Sequence, residues 1–245
     1  ILKTFLTKEL PDVEVSISSD VCPEIREYER FTTTVVNAYI KPLMSNYLKK
    51  LDQKLLNSGF NCPLLLMTSG GTLTNISSAC NNPVRLVESG PAGGAILATS
   101  IAEDMNLNKV ISFDMGGTTA KITIIENKKA IKAREFEVDR KARFKKGSGY
   151  PLRIPVIEMV EIGAGGGSIA RVNKLEQIIT GPDSAGSFPG PACYSNGGSM
   201  PTITDADLVI GKINPDNFAG GKIKLSKQLA DKAITENIVK FVFYK

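Results

Sequence analysis

Histidine is absent from the sequence. That excludes a histidine-based catalytic triad, a histidine general base and a histidine metal ligand within these residues. Cysteine is sparse: Cys22, Cys62, Cys80 and Cys193 are scattered, and no CxxC pair occurs. The spacing fits neither a zinc site nor a disulfide framework, so reduced thiols and a cytoplasmic setting are expected. No apolar run approaches the ~20 residues that cross a bilayer, and no membrane partner is expected. A charged-then-apolar leader with a small-residue cleavage site is missing too. So is a Walker A motif, GxxxxGK followed by Ser or Thr. The chain starts "ILKTFL", without methionine, which reads as a fragment or a processed piece.

What is present suits a soluble globular protein. The 245 residues are 42% apolar and 22% charged, enough for a sizeable core in one or two domains. Net charge is +5, with basic residues concentrated from Glu126 to Tyr150. Acids interrupt that cluster, so it reads either as a solvated hairpin and loop or as a rim that steers anions; nucleic acid is not expected as a partner.

Periodicity places the elements. Within Leu2 to Ser19, "VEVSIS" alternates as a strand does. Glu24 to Leu56 reads as helix, with Tyr28, Phe31, Val35, Ala38, Tyr39, Leu43, Tyr47, Leu51 and Leu55 three or four apart. Pro42 is expected to start a second helix or kink the first, and the lysines of "LKKLDQK" to face solvent. "PLLLMTSGGTLT" reads as an apolar strand entering a Gly-Gly turn, as buried parallel strands do. Glu88 to Leu107 is a proline- and glycine-started helix with a small-residue face. "VISFDMGGTTAKITII", Val110 to Ile125, is strand, turn, strand, with Phe113 as the last buried residue of the first strand. "KAIKAREFEV" follows as a third antiparallel strand. "PVIEMVEIGAGGGSIARV" is a strand entering another glycine turn. Ile178 to Gly198 reads as a long Gly/Pro-rich loop. "TITDADLVIGKI" reads as a helix capped by Thr204 or Asp205, and Lys224 to the end as an amphipathic helix. Strands alternating with helices, three of them ending in glycine turns, indicate an α/β fold whose strand ends form a ligand crevice.

The turns carry the chemistry. In "FDMGGTTAK" Asp114 stands at the strand end, and Gly116 and Gly117 allow positive φ and close approach. Successive N–H groups in such a turn make a nest for anionic oxygens, to which Thr118 and Thr119 add hydroxyl donors. A carboxylate beside a phosphate nest calls for a cation: Asp114 would hold Mg²⁺, directly or through water. Lys121 follows, pointing away from the turn or across it. The competing reading is a plain hairpin. In "EIGAGGGSIA", Gly163, Gly165, Gly166, Gly167 and Ser168 offer bare backbone to an adenine, a ribose or a phosphate. "MTSGGTLT" repeats the form with Ser69, Gly70, Gly71, Thr72 and Thr74. Further acids are Glu88, Asp183, Asp205 and Asp207. Asp205 is a helix cap or a ligand, and Asp183 a metal or substrate contact. Cys193 is a nucleophile or, without histidine to activate it, a structural thiol.

Taken in order, "ESGPAGGAILATSIAEDMNLNKVISFDMGGTTAKITII" resembles the second half of the sugar kinase, heat-shock chaperone and actin ATPase superfamily. More closely, the chain resembles the hydantoinase A/oxoprolinase family through "REYERFTTTVVNAYIKP", "MTSGGTLT", "VESGPAGG", "FDMGGTTAK", "EIGAGGGSIA", "GPDSAGSFPGPACY" and "PTITDADLVIGKI". The resemblance implies an actin-like ATPase (ribonuclease H-like) lobe with a mixed sheet flanked by helices. Residues 1–107 would complete a preceding lobe and hinge helix, and 108–225 the second phosphate-binding lobe. It implies ATP and Mg²⁺ as cofactors, a cyclic amide such as a hydantoin or 5-oxoproline as substrate, and ring opening through a phosphorylated carbonyl. A hydantoinase B-type subunit or domain, and the family's N-terminal domain with the first phosphate motif, would be partners. Without that N-terminal domain, weak ATP binding and no turnover are expected of this chain. Asp114 would be the catalytic acid that holds Mg²⁺ or orients water, with Asp183 and Asp205 as further metal candidates. Gly116, Gly117, Thr118 and Thr119 would bind phosphate; Gly165, Gly166, Gly167 and Ser168 would line the nucleotide pocket or the cleft beside it, and Ser69, Gly70 and Gly71 would face the same cleft. Lys121, where an acid is common, and the lack of a histidine before "GAGGGS" suggest an N-methylhydantoinase-like branch. Two rivals stand beside this reading: an ATP-dependent ketone carboxylase subunit, and a non-catalytic nucleotide-binding module.

Overall fold

The computed structural model describes residues 2–141, 145 and 147–242. They form two compact units, Ile1–Ser112 with Thr123–Met159, and Phe113–Ile122 with Val160–Lys245. Of the basic cluster, Ala142, Arg143, Phe144 and Lys146 lie outside the described residues, as does the end of the C-terminal helix expected to run to Lys245. No described helix is long and apolar enough to cross a membrane.

The first unit is organised around one long helix. Helices α1 (Leu2–Glu9) and α2 (Ser18–Val21) precede α3 (Glu27–Asn57), which continues through Pro42 as a single element rather than restarting there. The expected strand "VEVSIS" is not formed: residues 14–17 lie outside regular structure. Side chains of α3 hold them instead, with Asn37 Nδ2 3.4 Å from Ser16 Oγ and Lys41 Nζ 2.9 Å from Glu14.

Helix α3 also turns the expected face outward. Its buried residues are Thr33, Asn37, Ser45 and Leu48, whereas Tyr28, Phe31, Val35, Tyr39, Leu43 and Tyr47 are exposed, Tyr39 by 85%. The physical reason lies in what the helix packs against. Asn37 donates to Asn81 O at 3.1 Å and accepts from Val84 N at 3.2 Å. Thr33 Oγ1 accepts from Arg153 N at 2.8 Å, and Ser45 Oγ donates to Cys80 O at 3.0 Å. These are backbone groups at the end of the helix Ile76–Asn81, at the start of the 3-10 turn Pro83–Leu86 and just after Leu152, where a ladder or helix supplies no partner, and buried backbone groups require partners. Polar side chains on α3 supply them.

Strands β1 (Leu65–Met67) and β2 (Leu73–Asn75) form an antiparallel hairpin with Met67 opposite Leu73, so the expected parallel strand is corrected. Gly71, at φ +74°, closes it by donating to Thr68 O at 2.9 Å. Helix α4 (Ile76–Asn81) leads to α5 (Ser89–Asp104), whose Ala92 and Ala95 pack on Ile157 as the small-residue face predicts. Strands β3 (Lys109–Met115) and β4 (Ala120–Glu126) follow. The expected strand over 129–138 is three short ones with separate partners: β5 (Lys129–Ala130) pairs with β4, β6 (Lys132–Ala133) with β9 (Val156–Ile157), and β7 (Phe136–Val138) with β8 (Tyr150–Leu152). Val21, Val84, Leu152, Ile154 and Val156 form the main core of this unit.

In the second unit, β10 (Val160–Ile162) pairs antiparallel with the start of β4, and β11 (Ser168–Val172) pairs antiparallel with β12 (Ile178–Ser184). The first third of the expected long loop is therefore a strand. Helices α6 (Ile203–Val209) and α7 (Lys227–Ile234) enclose a core of Cys193, Leu208, Leu225 and Ala230. Phe113 is 59% exposed, not buried as expected, because its sheet face carries no described covering layer. The architecture is mixed α and β; every register described is antiparallel, where a mixed sheet was expected.

Candidate functional site

The turn between β3 and β4 is closed by a bond from Gly116 N to Thr119 O of 2.9 Å. Neither Gly116 nor Gly117 has left-handed φ, so the expected need for positive φ is not what selects glycine here. A Cβ on Gly116 would come no closer than 3.7 Å to Thr119 O, and the crowding falls instead on the glycines of a second turn. The second glycine turn lies against the first, with Gly166 N donating to Gly116 O at 2.9 Å and Gly167 N to Gly117 O at 2.8 Å. A Cβ on Gly165 would sit 2.5 Å from Thr118 N, and one on Gly167 would sit 2.8 Å from Ser184 Oγ. Two backbones approach this closely only where side chains are missing.

The amides of the second turn are thereby spent. Gly165 N donates to Ser168 Oγ and Ser168 N to Gly165 O, both at 2.9 Å. Gly165, Gly166, Gly167 and Ser168 back the first turn and offer no free amide to a ligand. The first turn is the reverse case. Among the described residues, the amides and hydroxyls of Thr118 and Thr119 and the amide of Gly117 have no hydrogen-bond partner. Gly117 and Thr118 are exposed, and a Cβ on Gly117 would meet nothing within 4 Å. Three consecutive unpartnered donors at an exposed turn are what an oxyanion requires. Asp114, also exposed, has no partner among the described residues. Lys121 stands opposite Glu161 in the ladder between β4 and β10.

Helix α6 is capped two to three residues earlier than the sequence suggests. Thr202 is the N-cap, and Asp205 completes a capping box with it, correcting the expected caps Thr204 and Asp205. The Asp205 carboxylate is wholly buried and accepts from Thr202 N and Thr202 Oγ1 at 2.8 Å, Cys193 N at 2.7 Å and Ala192 N at 3.2 Å. Three donors converge on Oδ2 and one on Oδ1, so the carboxylate is committed to backbone and hydroxyl partners inside the core. Asp183, on β12, is exposed and ion-paired with Arg171. Asp207 stands 3.7 Å from Lys212 Nζ, and Glu88 sits at the start of α5 with φ +62°. Burial, then the Asp205 carboxylate, push the Cys193 thiol far up, so it stays protonated and unreactive. Among the described residues no group of three or more Cys, Asp or Glu side chains is arranged to hold a metal.

Ser69, Gly70 and Gly71 belong to the first unit, where they lock a hairpin. Ser69 Oγ donates to Arg85 O at 2.9 Å and Pro155 O at 3.0 Å, and a Cβ on Gly70 would lie 3.1 Å from Pro155 Cβ. Sequence reasoning missed one contact of the second unit: Thr204 donates twice to Gly166 O, from N at 2.8 Å and Oγ1 at 2.9 Å. The partners are 38 residues apart, and no local pattern signals the pairing.

Comparison with known proteins agrees with this arrangement of motifs. The chain matches the hydantoinase/oxoprolinase family over residues 30–241. It is 48% identical to an uncharacterized protein of Methanocaldococcus jannaschii over 92% of this chain and 33% of that protein. It is 36% identical to caprolactamase subunit alpha of Pseudomonas jessenii, over 94% of this chain and 32% of that one. The nucleotide-free structure of acetone carboxylase, from work on ATP-dependent acetone carboxylation, superimposes with a TM-score of 0.72 at 28% identity, covering 97% of this chain and 32% of that one. The chain thus spans about a third of the length of these relatives. It belongs to the hydantoinase/oxoprolinase family.

Proposed function

We propose that this chain supplies the phosphate-binding turn of an ATP-dependent enzyme that opens cyclic amides such as lactams or hydantoins. The observation that carries the reading is the set of unpartnered amides at Gly117, Thr118 and Thr119 beside the unpaired carboxylate of Asp114. Fixed N–H dipoles aimed at an anionic oxygen stabilise it without reorganisation, and the hydroxyls of Thr118 and Thr119 extend the donor set. Mg²⁺ is commonly held by one or two carboxylates together with phosphates and waters, and Asp114 fits that mode. Asp205 does not fit it, and Asp183 is occupied by Arg171. ATP, when bound, would supply the phosphoryl group that activates the amide carbonyl, so that water adds to its carbon and the ring C–N bond breaks. The chain's own residues bind and orient: the turn amides grip oxygen, and Asp114 holds the cation or orients water.

The family's N-terminal domain with the first phosphate motif, and a hydantoinase B-type partner, would complete the site; the subunit designation of the caprolactamase relative supports a multi-subunit enzyme. A second reading, an ATP-dependent ketone carboxylase, is supported by the likeness to acetone carboxylase. ATP consumption by the complete enzyme, measured with lactam or hydantoin and then with ketone plus bicarbonate, separates them. Lactam-dependent turnover supports ring opening; ketone-dependent turnover without a lactam response transfers the assignment to the carboxylase. No turnover with either, despite nucleotide binding, leaves a non-catalytic module.

A further inference from the structure

Gly166 lies between Gly165 and Gly167, so no side chain restrains this stretch of backbone. Hydrogen bonds hold it instead. Its carbonyl accepts both donors of Thr204, at 2.8 and 2.9 Å, which fills its two lone pairs. Its amide donates to Gly116 O at 2.9 Å. Thr204 is thus one residue removed from the phosphate turn.

Helix formation alone does not explain this threonine. Capping is already done by Thr202, and threonine is a middling helix former. The Thr204 side chain is buried, and its hydroxyl donates to the Gly166 carbonyl. The fit is mutual: a Cβ on Gly166 would lie 2.7 Å from Thr204 Oγ1, so the hydroxyl fills the space that the glycine leaves.

We infer that Thr204 is a positioning residue for the phosphate turn, acting through Gly166 on Gly116 and so aiming the amides of Gly117, Thr118 and Thr119 outward. The inference rests on the proposed reading of that turn, yet the link from Thr204 to the turn is measurable without nucleotide. Thr204→Val keeps the shape and removes the side-chain donor; Thr204→Ser keeps the donor. Hydrogen exchange on the unliganded protein reads the link, and the affinity of the complete enzyme for ATP with Mg²⁺ reads its consequence.

Thr204→Val should exchange the Gly166 and Gly167 amides about tenfold faster and weaken ATP binding about tenfold, as expected when a half-buried carbonyl loses one of its two donors. Thr204→Ser should restore both. Thr204→Ala, which removes the same donor without apolar bulk, carries the same expectation if the valine variant folds poorly. A lower melting temperature with unchanged exchange at Gly166 and Gly167 and unchanged ATP affinity marks an ordinary buried hydroxyl and overturns the inference. Faster exchange in a protein whose wild type binds no ATP leaves the link standing, but removes the phosphate reading and the positioning role with it.

Discussion

Gly167 donates its backbone amide to the carbonyl of Gly117 at 2.8 Å, which fastens one glycine turn to the back of another. The contact separates glycines that are needed for packing from those left open toward solvent. Gly165→Ala places a methyl 2.5 Å from Thr118 N and 2.7 Å from Gly116 O, backbone atoms that cannot yield cheaply. Overpacking of this kind costs about 1–3 kcal/mol, read by urea unfolding. Gly117→Ala meets no atom and should leave stability within about 0.5 kcal/mol. Its expected loss is in phosphate affinity.

Asp205 holds its own neighbourhood together. Asp205→Ala leaves the amides of Ala192, Cys193 and Thr202 without their acceptor. At about 1–3 kcal/mol for each buried orphan, with partial relaxation, a net loss of about 3 kcal/mol is expected in equilibrium unfolding. Metal binding by the folded protein should be unchanged.

The inverted helix α3 makes a paired prediction. Asn37→Leu puts an apolar side chain on the buried face and strands Val84 N and Asn81 O, which should cost about 2–4 kcal/mol. Tyr39→Ser on the exposed face should change stability by less than about 0.5 kcal/mol. Thermal unfolding of both variants checks it; a larger loss from Tyr39→Ser would place a covering surface over that face.

Cys193 and Cys62 should differ toward thiol reagents. Cys62 is exposed, whereas burial and Asp205 keep the Cys193 thiol protonated. At pH 8 the reagent should label Cys62 and leave Cys193 unmodified until the protein unfolds. The same raised pKa sets a sign for stability. The unfolded thiol ionises as pH climbs past about 8.5 while the folded one cannot, so the unfolded state binds fewer protons and stability falls there. Cys193→Ala should flatten that alkaline decline.

Where the fold was legible in sequence, periodicity and small residues carried the information. The long helix α3, the small-residue helix with Ala92 and Ala95, and the hairpin around Gly116 and Gly117 all follow from local patterns. What was not legible depended on distant backbone. The direction α3 faces is set by unpaired groups at Cys80, Asn81, Val84 and Arg153, which no helical periodicity reveals. Strand β12 is hidden by glycine and proline in "ITGPDS", and its pairing partner lies across a turn of its own. Asp205 stayed open between helix cap and ligand because its donors at Ala192 and Cys193 lie 13 and 12 residues away in sequence. The likeness of "GAGGGS" to a ligand loop likewise conceals that its amides face Gly116 and Gly117.

The most direct measurement is a structure of the complete enzyme with a non-hydrolysable ATP analogue and Mg²⁺. Phosphate oxygens are expected within hydrogen-bond distance of the Gly117, Thr118 and Thr119 amides, with Asp114 contacting the cation or its waters. Nucleotide bound elsewhere, with those three amides still turned to solvent, would contradict that expectation.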